Sequence, residues 1–356
     1  MIKKLELKNF TVFKKASFSF GDKLNIIIGE NGSGKTQLLK ILYAWTQGYF
    51  TNIVERSNGT GGDSSVFFQR LFKCDNSLKD LVNYETMEKE SQSTKATVKI
   101  NYACNGIEAV SELQITTRLH GLHTQLDFPI PLDLELFNGS REKGLYLPAR
   151  DLLTIYPNYM SLSKMYHLPY DETYEDTIVK LGIPYLREES KEFKSLINDL
   201  EESIHGKIYL QNERFYYHAD DAPRELEQDI NMTAEGWRKL GMILQLLRNG
   251  GLHTGMALFW DEPEANLNPQ LICLMAQTIL ELSQLDIQVF IATHSLFLVN
   301  ELEILLAKQK NKKGVRFFNL RKDKTPQQGD SFSALKNVLL LDEEMKQSDR
   351  YMDEEV

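Results

Sequence analysis

The residues Gly29-Glu30-Asn31-Gly32-Ser33-Gly34-Lys35-Thr36 fit the pattern G-x-x-x-x-G-K-[ST] in full. In such a loop the backbone N–H groups of Asn31, Gly32, Ser33 and Gly34 can turn inward onto phosphate oxygens, and the helix that follows adds its positive end. Lys35 would reach the β- and γ-phosphates, and Thr36 would offer its hydroxyl to Mg²⁺; the ligand this predicts is ATP with Mg²⁺. A second group is Asp261-Glu262, which closes the apolar run Met256-Ala257-Leu258-Phe259-Trp260. Two acids at the end of a buried strand cost desolvation energy unless a cation or a reaction uses them. Asp261 is therefore read as a holder of the Mg²⁺ shell, and Glu262 as the base that orients and deprotonates the attacking water. The alternative is an acid pair that caps the next helix. His294 ends a third apolar run, Gln288 to Thr293, one helix after the acids. A strand–helix–strand unit brings successive strand ends together, so His294 is read as a contact to the γ-phosphate or to the attacking water.

The elements needed to hold these residues are legible nearby. Leu24 to Ile28 has strand character, and Gln37 to Tyr43 has apolar residues at helical spacing. Asn268 and Pro269 predict a helix start, as N-cap and first helical residue. Alternation over residues 2–8 and 16–20 predicts two antiparallel strands joined by a turn at 9–13, with Phe13 as a wall of an adenine pocket. Strands over 95–102 and 109–117 flank Asn105-Gly106, a strong hairpin signal, and extend an antiparallel layer. Residues 57–65 read as a flexible loop. Gly144 to Asp151 reads as a buried strand, with Arg150 at its end facing either phosphate or a carboxylate. From 161 to about 210 charge becomes dense, and a helical lobe interrupted at Pro169, Gly182 and Pro184 is expected. The resulting division is an N-terminal ATPase lobe (1–150), an inserted helical lobe (151–230), a C-terminal ATPase lobe (231–311) and a small cap or tail (312–356).

Composition narrows the class. A chain of 356 residues can bury a sizeable core, and its net charge of −9 disfavours a polyanion as the main partner without excluding a local basic patch. No apolar run is long enough to span a membrane and no secretion signal opens the sequence, so the chain reads as cytosolic. Cys74, Cys104 and Cys273 fit no metal or disulfide spacing and read as buried free thiols.

GENGSGKT at 29–36, LFWDEPEANLNP at 258–269 and ATHS at 292–295, in this order, resemble the ABC-type ATPases in their RecF/SMC/OLD-like branch. Met232 to Gly241 stands where that family carries its signature helix. Ala234 and Glu235 depart from the usual LSGGQ core, which leaves Gly236 as the best-matched position. AEGWRKLG followed by FWDEPEANLNP, together with Tyr146-Leu147-Pro148-Ala149-Arg150, is similar to stand-alone ATPases of bacterial anti-phage systems of the PtuA-like, Septu and retron-associated kind. The resemblance implies an α/β P-loop fold, an ABC-type ATPase head with an N-terminal antiparallel β layer and an inserted helical lobe. It also implies a homodimer or higher even oligomer closed around two ATP molecules. Each would lie between one chain's phosphate loop and the other's signature helix, where Gly236 permits close approach and Arg238 or Lys239 adds positive charge. Gln69 would be a metal-contacting glutamine, or else an ordinary helix-surface residue. A separate effector, a nuclease or toxin, is implied, with nucleic acid reached through the complex and no membrane. The RecF/SMC-like alternative is a DNA-repair or chromosome-structural factor. The forty or so residues after 311 are too few for the Toprim nuclease domain of OLD proteins.

Overall fold

The computed structural model describes the chain except residues 49–63, 75–76, 84–92, 105, 119–123, 131–132, 134–143, 167, 189, 224–225, 310–312, 322, 324 and 355–356. Strands β1 (Ile2–Phe10) and β2 (Phe13–Ser19) pair antiparallel from Lys4↔Ser19 to Phe10↔Phe13, so the turn is only Thr11-Val12. The chain then enters β3 (Leu24–Gly29) and the helices α1 (Lys35–Thr46) and α2 (Ser64–Phe72). It returns to the first sheet as β4 (Ser93–Cys104), β5 (Ile107–Arg118) and β6 (Thr124–Ile130). Gly106, at φ +79°, supplies the left-handed residue that the β4–β5 hairpin needs. The order β2-β1-β4-β5-β6 is the antiparallel layer expected from the alternation.

After β7 (Gly144–Leu147) come α3 (Tyr159–Met165), α4 (Glu172–Leu181) and α5 (Lys194–Ile204). A small sheet follows, of β8 (Gly206–Gln211), β9 (Arg214–Ala219) and β10 (Gln228–Asp229). Then come α6 (Glu235–Arg248), β11 (Ala257–Asp261), α7 (Pro269–Gln284), β12 (Gln288–Thr293) and α8 (Leu296–Lys308). The chain closes with β13 (Val315–Leu320), β14 (Pro326–Gly329) and α9 (Leu339–Asp353). The second large sheet runs β14-β13-β3-β12-β11-β7, parallel except for β14. Strands buried on both faces read as continuous apolar runs, and these do. Ile26, Ile28, Leu258, Trp260, Val289 and Ile291 face one apolar cluster, while Ile27, Phe259, Phe290 and Phe318 face the other. Helix α1 and the antiparallel layer cover the second face; α6, α7 and α8 cover the first. Gln288 ties the two sheets together, its amide donating to the Ile2 and Gly21 carbonyls at 2.8 and 2.9 Å and accepting from Ile2 N at 2.8 Å.

Several expectations change here. The segment 151–230 is helical only through Ile204 and then forms the β8–β10 sheet. Leu196, Ile197 and Leu200 share the cluster of Trp260, so the segment is fused to the ATPase core rather than hung from it. Within 312–356, β13 is not a cap: it lies beside β3, with Val315↔Leu24 through Leu320↔Gly29. Phe13 is fully buried against Phe18, and Val12 faces the nucleotide cleft in its place. Of the cysteines, Cys74 is buried but Cys273 is half-exposed. The loop expected at 57–65 falls outside the described residues up to 63, and Ser64 and Ser65 begin α2. Among the described residues no helix is long and apolar enough to cross a membrane.

Candidate active site

Parallel order places the carboxyl ends of β3, β11 and β12 on one edge, where ligands bind in open α/β sheets. Gly29 ends β3; Asp261 ends β11 in register with Ala292; Thr293 ends β12. The phosphate loop leaves β3 and enters α1 through Gly32 at φ +75° and Gly34 at φ +98°. At Gly34 a Cβ would sit 2.6 Å from Val12 and 2.7 Å from Phe13, so only glycine fits. An open cleft of about 370 Å³ is lined by Val12, residues 31–37 and Glu262.

The two sequence motifs meet in direct contact, for the Thr36 hydroxyl donates to Asp261 Oδ2 at 2.8 Å. The Lys35 amine lies inside the loop, donating to the carbonyls of Gly29 at 2.7 Å and Glu30 at 2.9 Å. Burial lowers its pKa below the usual lysine value, against the pull of Glu262, Asp261, Glu264 and Glu30. Asp261 shifts upward, first through burial and then through Glu262, with bonds from Thr36 and Tyr146 and the charge of Lys40 opposing. Glu262 Oε1 meets His294 Nδ1 at 3.1 Å, as the adjacency of β11 and β12 requires. Glu262 itself takes φ +46°, a costly conformation for a residue with a side chain, of the kind found at functional sites.

The residues fit ATP and Mg²⁺ on the structure's own terms. The Ser33 hydroxyl is buried in the loop without a hydrogen-bond partner among the described residues, an orphan that a phosphate oxygen would satisfy. Thr36 and Asp261 already place a hydroxyl and a carboxylate together, oxygen donors suited to Mg²⁺.

Sequence reasoning missed three supports of this site. Tyr146 on β7 donates to Asp261 Oδ2 at 3.3 Å, and burial drives its phenol pKa well upward. Lys239 is fully buried, and its amine caps the loop after β11 by donating to the carbonyls of Ala265 at 2.7 Å and Glu262 at 3.3 Å. Burial lowers its pKa to about 8. Glu264, also buried, accepts from Thr293 Oγ1 at 2.5 Å, which pins the same loop to the end of β12. The signal for Lys239 was present: it falls on the stripe Gly236, Leu240, Ile243 and Leu247 that α6 buries, where a lysine is out of place unless it is bonded.

The signature helix differs from its expected form. Arg238 donates to Asp151 Oδ2 at 3.2 Å and to the Thr233 carbonyl at 2.6 Å, so its charge is used within the chain. Lys239 points into the core, where its amine is used by the loop after β11. Gly236 is buried, and its close approach is to α7, where a Cβ would meet Leu271 at 2.3 Å. Gln69 sits half-buried on α2 and does not line the cleft; Gln37, beside Thr36, does. Arg150 is exposed near Tyr174 and forms no ion pair among the described residues.

A glycine loop at the edge of a parallel sheet, with an acid pair at the end of the second strand along, defines a P-loop ATPase head. The chain belongs to the AAA ATPase domain family, whose model matches residues 1–235. It is also similar to the DNA replication and repair protein RecF of Bacillus thuringiensis (strain Al Hakam) and of Bacillus cereus (strain B4264). Each is 48% identical over 42 residues, 12% of this chain and 11% of the RecF chain. The fold matches an Smc head bound to the C-winged helix domain of ScpA, with TM-score 0.53 and 14% identity over 92% of this chain and 96% of that one. It also matches the Smc head domain with an extended coiled coil bound to the C-terminal domain of ScpA derived from Pyrococcus furiosus, with TM-score 0.51 and 12% identity over 92% and 95%. The chain thus carries the AAA ATPase domain on a fold like that of the SMC heads.

Proposed function

We propose that this chain hydrolyses ATP, pairs with a second copy around the nucleotide, and serves as a switch for a separate effector in bacterial anti-phage defence. The observation that carries the hydrolytic reading is the closure of the site in one subunit: Thr36 on Asp261, and His294 on Glu262. Lys35 would exchange its two carbonyl partners for β- and γ-phosphate oxygens. Thr36 and Asp261 would hold Mg²⁺, which when bound neutralises charge between the phosphates. Glu262 would orient a water and accept its proton, with His294 fixing the carboxylate from the other side. Lys239 and Glu264 keep the loop bearing Glu262 in place.

Pairing is supported by the start of α6. Its N-cap, Ala234, contributes no side-chain bond, which leaves backbone N–H groups for an anion, and Met232 beside it is 80% exposed. With Arg238 and Lys239 turned inward, the neighbour's γ-phosphate would be met by the main chain and the helix dipole. The effector role rests on the resemblance to stand-alone defence ATPases and on the Smc heads, which are bound to domains of a separate protein, ScpA.

The test is Glu262→Gln, which should retain ATP binding, lose about 10² to 10⁴-fold in hydrolysis and accumulate as an ATP-held pair. Unchanged phosphate release in that variant would sink the assignment of the base. The similarity to RecF favours a second reading, a DNA-repair or chromosome factor. Tight duplex binding by the isolated chain that falls steeply with salt would select it.

A further inference from the structure

Helix α9 has fifteen residues and none is buried. An isolated helix of about this length is marginal in water, and helices in proteins owe most of their stability to a packed face. Its sequence supplies such a face. At 100° per residue Leu341, Met345 and Met352 fall in one stripe; Asp342 and Asp349 border it on one side and Glu344 on the other. Lys346 and Arg350 lie on the opposite side. Leu341, Met345 and Met352 are 39%, 61% and 67% exposed. An acid-rimmed apolar stripe is thus presented to solvent.

Its complement lies on the outer face of the antiparallel layer. A groove of about 580 Å³ runs over β1, β2 and β4; Lys8, Lys15 and Lys99 line it with Pro326, against one acid, Glu6. Lys8 and Lys15 are direct cross-strand partners. Like charges opposite one another destabilise a sheet. Neither of the two forms an ion pair among the described residues, although the chain as a whole carries −9; Lys99 stands between Glu6 and Glu112 as cross-strand neighbours, which leaves the Lys8–Lys15 end the more basic. Lysine stems supply apolar walls for such a groove while their amines stay at its rim. No residue of α9 lines this groove, and within the helix Leu340 alone is half-buried, packed on the core of its own chain, so the stripe itself meets no covering surface among the described residues.

We propose that α9 of one copy of this chain docks, stripe inward, in the Lys8–Lys15–Lys99 groove of a second copy. This contact is separate from the ATP-held pair, and the two together would link pairs into larger even assemblies. The experiment is to measure particle mass against protein concentration in solution without nucleotide, in the wild-type chain and in Lys35→Ala, so that failure of the nucleotide reading leaves the result standing. Association above the monomer is expected in both, and its loss on truncation after Val338. The triple change Lys8→Glu, Lys15→Glu and Lys99→Glu should abolish it, as should Asp342→Lys with Glu344→Lys and Asp349→Lys. An equimolar mixture of the two charge-reversed chains should associate again. Five of the six positions are exposed and Lys99 is half-buried, and an unchanged melting temperature verifies folding. A monomeric wild-type chain, a truncated chain of unchanged mass, or no association in the mixture would overturn the proposal. So would crosslinks from α9 to the groove of its own chain, or a lysine triple variant that loses duplex DNA binding with its mass unchanged.

Discussion

The phosphate loop and helix α6 both carry basic residues close to the same acids, yet they use them in opposite ways. Lys35 is held by two carbonyls inside a cleft that opens to solvent, where a phosphate can replace them. Lys239 is held by carbonyls in a closed interior, and Arg238 by the buried Asp151. The same charge thus serves exchangeable binding in one region and fixed architecture in the other. What separates them is whether solvent reaches the amine, not the residue type.

Four substitutions sharpen or break that contrast. Lys35→Ala should cause the largest loss, at least about a hundredfold in ATP hydrolysis, with the fold's melting temperature little changed. Nucleotide-binding titration and phosphate release check it; retained binding would break the comparison at its first term. Tyr146→Phe comes next. It removes a bond to Asp261, the carboxylate proposed to hold Mg²⁺, and loss of such a support typically costs about 10- to 100-fold in metal affinity. The Mg²⁺ concentration for half-maximal hydrolysis should rise accordingly, while ATP binding without metal stays as it was.

Lys239→Met should cost about 1–3 kcal/mol of stability, because buried carbonyls lose their donor. It should also lower hydrolysis by loosening the loop that carries Glu262. Its pH signature has a definite sign. With a folded pKa of about 8 against an ordinary value of 10.5, the unfolded chain binds the extra proton between those values. Lys239's contribution to stability therefore rises as pH goes from 8 to 10.5. Denaturant melts across that window should show the rise in the wild type and its absence in the variant. Arg238→Ala should have the smallest effect, about 1–2 kcal/mol of stability from leaving Asp151 unpaired, with near-normal ATP binding by the isolated chain.

Legibility in the sequence followed the same line. Chemistry set by local order, such as the glycine loop or an acid at a strand end, could be read directly. The adjacency of β11 and β12 followed from the strand–helix–strand rule, and with it the placing of His294 beside the acids; that its ring meets Glu262 itself is seen only in the structure. Tyr146 was invisible in its role because β7 joins β11 from more than a hundred positions away, and nothing local says which strand will be its neighbour. Arg238 was misread for the same reason, since Asp151 lies 87 positions from it. The strand Val315–Leu320 fell within the expected cap or tail and not in the central sheet, because its partner β3 lies at the other end of the sequence.

That last pairing has a consequence for how the chain becomes active. Strand β3, which launches the phosphate loop, is flanked by β12 and β13, and Leu24 and Val315 are about 290 positions apart. During synthesis at about 5–20 residues per second, its apolar residues wait on the order of 15 to 60 s for their neighbours. Pairings of such separation also fold slowly once the chain is complete. The phosphate loop is synthesised long before the strands that flank β3, so a ribosome-bound N-terminal half carries the full phosphate-loop motif without the sheet that gives it shape.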